Sequence, residues 1–502
     1  MSDVMERELR SDSSACEEFD VLIVGAGISG IGSAHHLQTQ CPGKSFVILE
    51  AQDGFGGTWR THKYPGVRSD SDLFTFGYRF KPWVGPPIAT GAAIQEYLEE
   101  VIEENGLDKT IRYGTKITRC DWSGEDRKWT VETANRDGSP GKVYRCNFLW
   151  MCQGYYDHEN PYVPNWPGMA DFKGKIVHAQ KWNDSVDYKG KRVIVIGSGA
   201  TAATVIPAMA DDAAHVTMVQ RSPTYFFCYP NKSDLVDRLR LIGVDDDTIH
   251  RCARLDYLHN LKMLDHRSKE EPDVVFDELK ALVRQYAGED FEFEPHFTPS
   301  YRPWQQRLAF VPDGDMFVKI REGKVSAVTD KIAKFTEKGL LLESGQELEA
   351  DLVVAATGFN LSVMGGIDFT VDGKEVDWSD TVTYRGMMFA GVPNLVWVFG
   401  YFRAAWTLRV DLLGDFVCRL LNHMDQKGVH EVDIALPQGS EGDPHKPWIE
   451  DDNFNPGYLM RAVEDLPKRL GDRPEWRHTQ DYWQEAEDIP AIDLDGPEFA
   501  YR

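Results

Sequence analysis

The residues that can do chemistry begin with three glycines near the start of the chain. Gly25, Gly27 and Gly30 follow the apolar run VLIV at GxGxxG spacing and lead into a helical stretch. The next apolar segment, SFVILE, ends in Glu50. Glycines at this spacing let a pyrophosphate approach the backbone at the start of a helix, and the acid that follows can bind ribose hydroxyls. This order of strand, turn, helix, strand and acid predicts a dinucleotide site.

A second glycine turn lies in the sequence KRVIVIGSGATAATVIPAMA. Gly197 and Gly199 are followed by Ala202, a small residue that the third position allows, and the next apolar segment ends in Arg221 and Ser222 without an acid. A guanidinium can hold a 2′-phosphate through two hydrogen bonds, whereas a carboxylate would repel it. We therefore expect FAD at the first turn and NADPH at the second, the alternative being that Arg221 is a surface residue. The other contacts expected in this turn are Ser198, Ala200 and Thr201.

Two dinucleotide units in one chain predict an α/β fold with two Rossmann-like domains. The segments 148–168 and 351–360 both run from a buried strand into a turn, and the first contains three prolines. We interpret them as an outward and a return crossing, so that the second domain is inserted in the first. Spaced aliphatic residues at helical period predict a further helical insertion. The expected division is a first FAD part at 1–160, an NADPH domain at 161–222 and 303–357, the helical insertion at 223–302, and a second FAD part at 358–502.

The composition argues against several classes of function. The 502 residues carry a formal net charge of −25, which argues against a nucleic-acid partner because phosphate backbones require basic surfaces. The eight cysteines form no CxxC pair, which argues against a dithiol reductase and is typical of reduced cytosolic thiols. No apolar run approaches the ~18 residues of a membrane-spanning helix, and residues 1–20 lack the features of a signal peptide. We expect a cytoplasmic enzyme without an integral membrane segment and with a loosely attached N-terminal tail.

Two further motifs resemble those of the flavin-dependent (type I) Baeyer–Villiger monooxygenases. GGTWRTHKYPGVRSD, from Gly56 to Asp70, fills every position of the family's first signature. FKGKIVHAQKWN resembles the linker signature FxGxxxHxxxWP but ends in Asn183, and the N- and S-oxygenating flavin monooxygenases usually have Tyr where Trp182 stands. The resemblance covers nearly the whole chain, is closest to the ethionamide-activating branch and is weakest in the helical insertion. The matched linker positions are Phe172, Gly174, His178 and Trp182, and the first signature adds Gly57, Thr58, Trp59 and Asp70 to the expected cofactor contacts.

The resemblance implies that NADPH reduces FAD, that O₂ adds at flavin C4a, and that the resulting peroxide attacks a carbonyl. Such a peroxide must stay unprotonated, which requires a fixed cation and a dry site. The family's cation is an Arg after a Pro-containing loop, and the match falls on Arg307, with Arg302 as the alternative. The acid that orients it matches Asp70, although Asp70 can instead cap a helix and Asp72 competes with it. Gln306 replaces the usual Lys before the catalytic Arg, so NADPH preference is expected to be narrower.

Several aromatic and histidine residues have two interpretations. His178 has no second His or Cys at metal spacing, so no metal is expected. Our hypothesis is that hydrogen bonds of its ring hold the linker while the NADP domain swings between hydride transfer and oxygenation. Trp59 and Trp182 are expected to pack or to form walls beside the flavin. Trp406 either lines the substrate pocket or belongs to the core.

The expected function is an NADPH- and O₂-dependent Baeyer–Villiger oxidation of ketones to esters or lactones, accompanied by sulfoxidation of thioethers. The first alternative is an N- or S-oxygenating flavin monooxygenase. The others are a flavin reductase or NADPH oxidase that releases peroxide, and a dinucleotide-sensing protein without catalytic activity. The identity of the ketone or thioether does not follow from the sequence.

Overall fold

The computed structural model of the protein describes residues 16–440, 442–449 and 454–502. Residues 1–15 of the expected tail lie outside the described residues. Residues 17–20, by contrast, begin the first strand and correct that prediction. Their backbone pairs with a neighbouring strand that extends beyond the apolar run, from Glu17 opposite Tyr144 to Phe19 opposite Cys146. Backbone pairing of this kind accepts polar side chains, so the apolar pattern underestimated the strand.

The first unit is built on one large mixed sheet. Its strands are β1 (Glu17–Val24), β2 (Phe46–Leu49), β3 (Ile111–Arg112), β4 (Thr115–Ser123), β5 (Lys128–Asn135), β6 (Tyr144–Met151), β17 (Asp368–Val371), β18 (Lys374–Glu375) and β21 (Leu395–Trp397). Their order is β18-β17-β4-β5-β6-β1-β2-β3, and β21 also pairs with β6. In β1, Val21 and Ile23 pack in one apolar core while Leu22 and Val24 pack in another on the opposite face. A strand that is covered on both faces is apolar throughout, which is why the run VLIV could be recognised as a strand from the sequence.

Helices cover both units and fill the segment between them. They are α1 (Ile28–Gln40), α2 (Thr58–Thr61), α3 (Leu73–Phe76), α4 (Gly91–Glu104), α5 (Ala200–Met209), α6 (Asp234–Leu241), α7 (Asp246–Glu270), α8 (Pro272–Ala287), α9 (Asp315–Arg321), α10 (Trp406–Lys427), α11 (Gly457–Met460) and α12 (Tyr482–Asp488). Helix α1 packs against α10, so a late segment of the chain completes the first unit. The predicted α/β class with two Rossmann-like units is confirmed.

The second unit has a sheet of five parallel strands. They are β7 (Lys175–His178), β8 (Arg192–Ile196), β9 (His215–Gln220), β12 (Val325–Thr329) and β16 (Leu352–Ala355). Their order is β12-β9-β8-β16-β7. Strand β8 lies between β9 and β16, and its glycine turn leads into α5. The turns after β8, β9 and β16 therefore meet at the same edge of this sheet.

The stretch FKGKIVHAQKWN is part of this second sheet, which corrects its interpretation as a connector. Lys175–His178 forms β7, an edge strand parallel to β16. An edge strand tolerates polar residues on its exposed side, so the apolar pattern of the sequence did not indicate a strand here. Phe172 is buried against Phe335. A Cβ on Gly174 would lie 2.6 Å from the carbonyl oxygen of Asp351 and 2.4 Å from the Phe172 ring, so the glycine allows both to approach.

The helices α6, α7 and α8 occupy the predicted helical insertion, and α7 is anchored to the first unit. Arg254 of α7 donates hydrogen bonds to the carbonyl oxygens of Phe74, Thr75 and Gly77 at 3.0–3.2 Å. The same side chain donates to Asp411 of α10 at 3.2 Å. One guanidinium thus holds the insertion against the end of α3 and against α10.

The two crossing segments run side by side and are bonded to each other. The amide of Asp157 donates to the carbonyl oxygen of Asn360 at 2.9 Å, and the Asn360 side chain donates to Asn160 at 3.1 Å. The Thr357 hydroxyl donates to the carbonyl oxygen of Tyr162 at 2.6 Å. The two units are therefore connected by two chain segments that are hydrogen-bonded to each other. The exact domain boundaries stay a prediction.

Short strands complete the described fold. Strands β10 (Phe226–Tyr229) and β11 (Ala309–Pro312) pair in parallel and close the two ends of the insertion. The remaining strands form small antiparallel sheets: β13 (Ile332–Phe335), β14 (Gly339–Leu342) and β15 (Glu347–Glu349); β19 (Thr383–Tyr384) with β20 (Met388–Phe389); β22 (Val432–Ile434) with β25 (Phe499–Tyr501); and β23 (His445–Pro447) with β24 (Lys468–Leu470).

The third glycine of the first turn gives a stability prediction. A Cβ on Gly30 would lie 1.8 Å from the carbonyl oxygen of Gly25, so Gly30→Ala must push α1 away from the turn. We expect a loss of about 3 kcal/mol or more in the free energy of unfolding, because the clash is with a backbone atom and can be relieved only by moving the helix. Gly43→Ala is the matched control, since its Cβ would meet nothing within 4 Å. Urea unfolding of both variants checks this, and equal stabilities would contradict the close contact.

Candidate functional site

The first glycine turn forms a backbone-walled cradle at the carboxyl end of β1. Gly27 caps α1 without a side-chain hydrogen bond, so the first amides of the helix lack a side-chain cap. A Cβ on Gly27 would lie 3.7 Å from the Cα of Gly57, and the Gly56 amide donates to Ala26 at 2.9 Å. Two facing glycine backbones at a helix N-terminus fit a pyrophosphate, which needs close approach and free N–H donors.

Glu50 lies directly after β2 and is held by the same turn. One carboxylate oxygen accepts a hydrogen bond from the Ala26 amide at 2.8 Å and the other from the Gln52 amide at 2.7 Å. Burial raises its pKa, and these two bonds oppose the rise. The Glu50 carboxylate is positioned as a ribose-binding acid would be.

In the adjoining signature, Thr58 begins α2 and the Trp59 ring packs edge-on against Phe76, with 5.7 Å between ring centroids.

The rest of the first signature packs against the second unit. Gly66 has φ +75°, and a Cβ there would lie 2.7 Å from the Cβ of Ala208 in α5. Arg68 pairs with Asp315 of α9 at 2.6 Å and donates to the carbonyl oxygen of Ala203 at 3.3 Å. The Pro-Gly turn of the signature is therefore a contact between the two units, for which only a glycine fits.

The second glycine turn has the same construction. Gly197 has φ +127°, and a Cβ there would lie 2.4 Å from the carbonyl oxygen of Ala356. Helix α5 begins at Ala200 and is capped by Gly199 without a side-chain hydrogen bond. The Ser198 hydroxyl bonds to that of Thr224 at 2.9 Å. A small cavity beside the turn is lined by Tyr64, His178, Thr201 and Phe359, among others.

Two arginines lie near this turn. Arg221 and Ser222 follow β9 and are exposed, and Arg221 makes no ion pair with any residue the structure describes. Arg461 stacks over the Tyr162 ring at 3.5 Å and donates to the carbonyl oxygen of Phe359 at 3.2 Å. Burial lowers the pKa of Arg461, Tyr162 opposes this, and the charge of Arg221 lowers it further. The two guanidiniums form a cationic region in a strongly acidic chain.

The structure brings Arg307 and Asp70 together, with 3.2 Å between a guanidinium nitrogen and a carboxylate oxygen. The alternative residues, Arg302 and Asp72, make different contacts. Arg302 donates to the carbonyl oxygen of Pro303 at 3.3 Å. Asp72 caps α3 by accepting from the Thr75 amide at 2.8 Å, and burial raises the pKa of Asp72 to about 6. The geometry therefore separates the helix cap from the acid that meets the arginine.

The charge on Arg307 is stabilised by its surroundings. Burial disfavours the charged form, but the Asp70 carboxylate and the neighbouring phenols outweigh this and raise the pKa of Arg307 above its ordinary value. Arginine is already charged at any working pH, so Arg307 is a permanent cation that the Asp70 carboxylate holds in place. Such a group can stabilise an anion that forms beside it.

Sequence reasoning missed three tyrosines beside this pair, which we call the tyrosine cluster: Tyr155, Tyr156 and Tyr458. Tyr155 and Tyr156 share a hydrogen bond between their hydroxyls. Both lie within five residues after the end of β6, so their place beyond the carboxyl end of a sheet strand was a signal for a site. Tyr458 lies in α11, far along the chain, and no local pattern pointed to it.

Trp406 joins the first turn to the tyrosine cluster. Its indole N–H donates to the Ser29 hydroxyl at 2.8 Å, and its ring stacks on Tyr155 at 4.8 Å. It is half-buried and packs against both apolar cores of the first unit. Of the two interpretations, packing is therefore observed, while a role in the substrate pocket stays a prediction.

His178 lies at the end of β7 and is buried. Its Nδ1 accepts a hydrogen bond from the Gln180 amide at 3.1 Å, and its Nε2 has no partner among the described residues. Burial lowers the pKa of His178 to about 4. Trp182 packs against Tyr188 at 6.1 Å, away from the first turn. The ring bond of His178 is present, and its role in a domain swing stays a prediction.

The described part of the chain holds no group of three His, Cys, Asp or Glu side chains arranged to bind a metal ion. All eight cysteines are unpaired. No helix among the described residues is long and apolar enough to cross a membrane.

Comparisons with known proteins identify the family of the chain. Residues 23–84 match the family model described as NAD(P)-binding Rossmann-like domain, and residues 84–239 match Flavin-binding monooxygenase-like. The FAD-containing monooxygenase EthA of Mycolicibacterium smegmatis is 45% identical over 469 residues, covering 93% of this chain and 94% of the relative. EthA of Mycobacterium tuberculosis is 42% identical over 490 residues, covering 97% and 98%. The chain belongs to the flavin-binding monooxygenase family, and within it the chain is similar to the EthA proteins.

Solved structures show the same fold. A steroid monooxygenase bound to NADP has a TM-score of 0.73 at 23% identity, covering 96% of this chain and 99% of that one. OTEMO in complex with FAD and NADP has a TM-score of 0.72 at 19% identity, covering 96% and 99%. The predicted family and fold class are confirmed by these findings.

The buried histidines of the site give a pH prediction. Burial lowers the pKa of His62 to about 4, with His158 and His178 adding to the effect, and His178 titrates near the same value. In the unfolded chain a histidine titrates near 6.5, so the unfolded state binds more protons between pH 6.5 and 4. Stability is fully present above pH 6.5 and falls as the pH falls towards 4, by about 2 kcal/mol per histidine at pH 5.

Urea unfolding at pH 7 and pH 5 measures this loss. We expect the double variant His62→Gln/His178→Gln to lose less stability between the two pH values than the parent protein. His259→Gln, at an exposed histidine, is the control and should follow the parent. The same pH dependence in the double variant and the parent would show that these histidines titrate normally.

Proposed function

We propose that the chain is an NADPH- and O₂-dependent Baeyer–Villiger monooxygenase that converts ketones to esters or lactones and oxidises thioethers to sulfoxides as a side activity. One observation carries the proposal: the cation Arg307 is held by Asp70 at 3.2 Å beside the phenols of the tyrosine cluster. The balanced reaction takes one ketone, O₂, NADPH and a proton to one ester, water and NADP⁺. N- or S-oxygenation alone would not require an anion-stabilising arginine of this kind.

Two cofactors fit the two glycine turns. Gly27, Gly57 and Glu50 would hold the pyrophosphate and a ribose of FAD, and the turn from Gly197 to Thr201 would hold the pyrophosphate of NADPH. When bound, NADPH supplies two electrons and FAD passes them to O₂. The residues of the chain bind and orient these groups and control charge and water around them.

Arg307 has the central role in the proposal. Its guanidinium would hold the negative charge of the reduced oxygen before the attack on the ketone, without giving up a proton. Asp70 keeps the side chain in one position, since the ion pair removes rotamer freedom. The aromatic rings of Tyr155, Phe359 and Trp406 pack around the same region and would limit the access of water, which would strengthen each electrostatic contact there.

For NADPH, Arg221 and Ser222 are the proposed contacts to the 2′-phosphate. Both follow β9, where the adenosine ribose lies in folds of this type. The absence of a described carboxylate partner leaves the Arg221 guanidinium available for a phosphate. Gln306 brings no charge, so the proposed preference for NADPH over NADH rests mainly on Arg221.

Arg307→Ala tests the reaction. We expect it to bind FAD and to be reduced by NADPH at about the parent rate, but to form ester from a linear aliphatic ketone at least ~100-fold more slowly. Arg307→Lys keeps the charge without the planar fork and should retain part of the activity. Gas chromatography of the products, with stopped-flow absorbance of the flavin, separates the two steps.

Three outcomes would contradict the proposal or redirect it. Unchanged ester formation by Arg307→Ala would refute the role of Arg307. Loss of ester formation in Arg302→Ala, with Arg307→Ala unaffected, would show that the alternative arginine is the catalytic one. Sulfoxide but no ester from the parent protein, over a panel of ketones, would establish the S-oxygenating alternative instead.

A further inference from the structure

One hydroxyl of the tyrosine cluster has no hydrogen-bond partner among the described residues. Tyr155 and Tyr156 bond to each other, whereas the Tyr458 hydroxyl oxygen is buried and has no hydrogen-bond partner among the described residues. The Tyr155 hydroxyl acts on the pKa of Tyr458, but no hydrogen bond joins the two hydroxyls. A buried hydroxyl without a partner costs about 1–3 kcal/mol, and native proteins keep few of them. An acceptor atom on a bound ligand would give this hydroxyl a partner.

The backbone holds Tyr458 against the segment that carries Arg307. The amide of Asn455 donates to the carbonyl oxygen of Gln305 at 3.0 Å, which ties the two segments together. The Tyr458 ring meets the Tyr156 ring edge-on, with 6.4 Å between centroids and an interplanar angle of 66°. The charges of Arg307 and Asp70 both act on the Tyr458 hydroxyl. The unpartnered donor is therefore part of the candidate active site.

Tyr458 is a proton donor under all working conditions. Burial raises its pKa well above the ordinary value, and Tyr155 adds to the rise, while the charge of Arg307 opposes it. The phenol consequently keeps its proton at neutral pH. A neutral O–H group that points at an oxygen on which charge develops stabilises that charge.

We propose that the Tyr458 hydroxyl donates a hydrogen bond to the carbonyl oxygen of the ketone substrate and stabilises the negative charge that this oxygen gains during oxygen insertion. This rests on the proposed function, and it makes Tyr458 a second catalytic residue beside Arg307. Arg307 stabilises the attacking oxygen, and Tyr458 stabilises the oxygen under attack.

The electron balance shows when the bond strengthens. One oxygen atom of O₂, reduced by the two electrons of NADPH, bonds to the carbonyl carbon, and the carbonyl π pair moves onto the carbonyl oxygen. That pair re-forms the double bond as one carbon substituent migrates to the inserted oxygen and the O–O bond breaks. The second oxygen atom takes up protons and leaves as water. The bond from Tyr458 is strongest between these two events, as catalysis requires.

A thioether gives the sharpest contrast, because its sulfur has no carbonyl oxygen to accept this bond. In Tyr458→Phe we expect the kcat for ester formation to fall about 100-fold, the usual effect of removing one donor to a developing oxyanion. Sulfoxide formation and flavin reduction by NADPH should stay within about twofold of the parent, since neither uses the donor. Equal losses for ketone and thioether would overturn the inference and indicate a structural role.

A second measurement does not depend on turnover. Infrared spectroscopy of a ¹³C=O-labelled ketone bound to the oxidised holoenzyme reports the hydrogen bond directly. The carbonyl band should lie at lower wavenumber in the parent than in Tyr458→Phe. An identical band in both proteins would contradict the proposed bond.

Thermal unfolding separates this role from packing. Tyr458→Phe should unfold at or above the parent temperature, because it removes an unpartnered hydroxyl. Tyr401→Phe is the matched control: its hydroxyl donates to Glu485 at 2.6 Å, so its loss should lower the Tm. If the parent forms no ester from any ketone, the proposed function fails. If the parent forms ester and Tyr458→Phe does so equally well, this inference alone fails.

Discussion

The ion pair between Asp70 and Arg307 is the contact on which the candidate site depends. Asp70 comes from the loop between α2 and α3 of the first unit, and Arg307 from the segment that returns from the helical insertion. Both side chains are about one-third exposed, and a partly exposed ion pair adds little net stability because solvent screens the attraction between the charges. In the proposed reaction, the acid would fix the cation in one place. Arg254 holds α7 against the first unit, and the two crossing segments are bonded to each other, so the units that supply the two partners are joined at several points.

The charge distribution supports the same interpretation. The chain is strongly acidic, yet Arg221 and Arg461 lie together at the second turn and Arg307 lies at the centre of the candidate site. The nearby phenols have raised pKa values because they are buried, so they add hydroxyl donors without adding negative charge. Positive charge and neutral donors are thus concentrated where phosphates and reduced oxygen would bind in the proposed reaction.

Most of the fold was predictable because its signals are local. The apolar runs before Gly25 and Gly197 are strands, and the glycines after them form turns that only glycine fits. Exceptions arose where a polar segment pairs through its backbone, as in β7 and at the start of β1. Apolar periodicity cannot detect such strands, because their stability comes from the neighbouring strand and not from their own side chains.

By itself, the sequence determined the two dinucleotide units, their glycine turns and Glu50, since a turn with positive φ or a strand buried on both faces requires particular residues in a short window. The resemblance to the Baeyer–Villiger enzymes narrowed the proposed catalytic cation to Arg302 or Arg307 and its proposed partner to Asp70 or Asp72. Only the tertiary structure decided that Asp72 caps α3 and that Asp70 meets Arg307. Tyr458 was likewise revealed only by the fold. The physical reason is that ion pairs and buried donors depend on which distant segments pack together, and no local pattern records that.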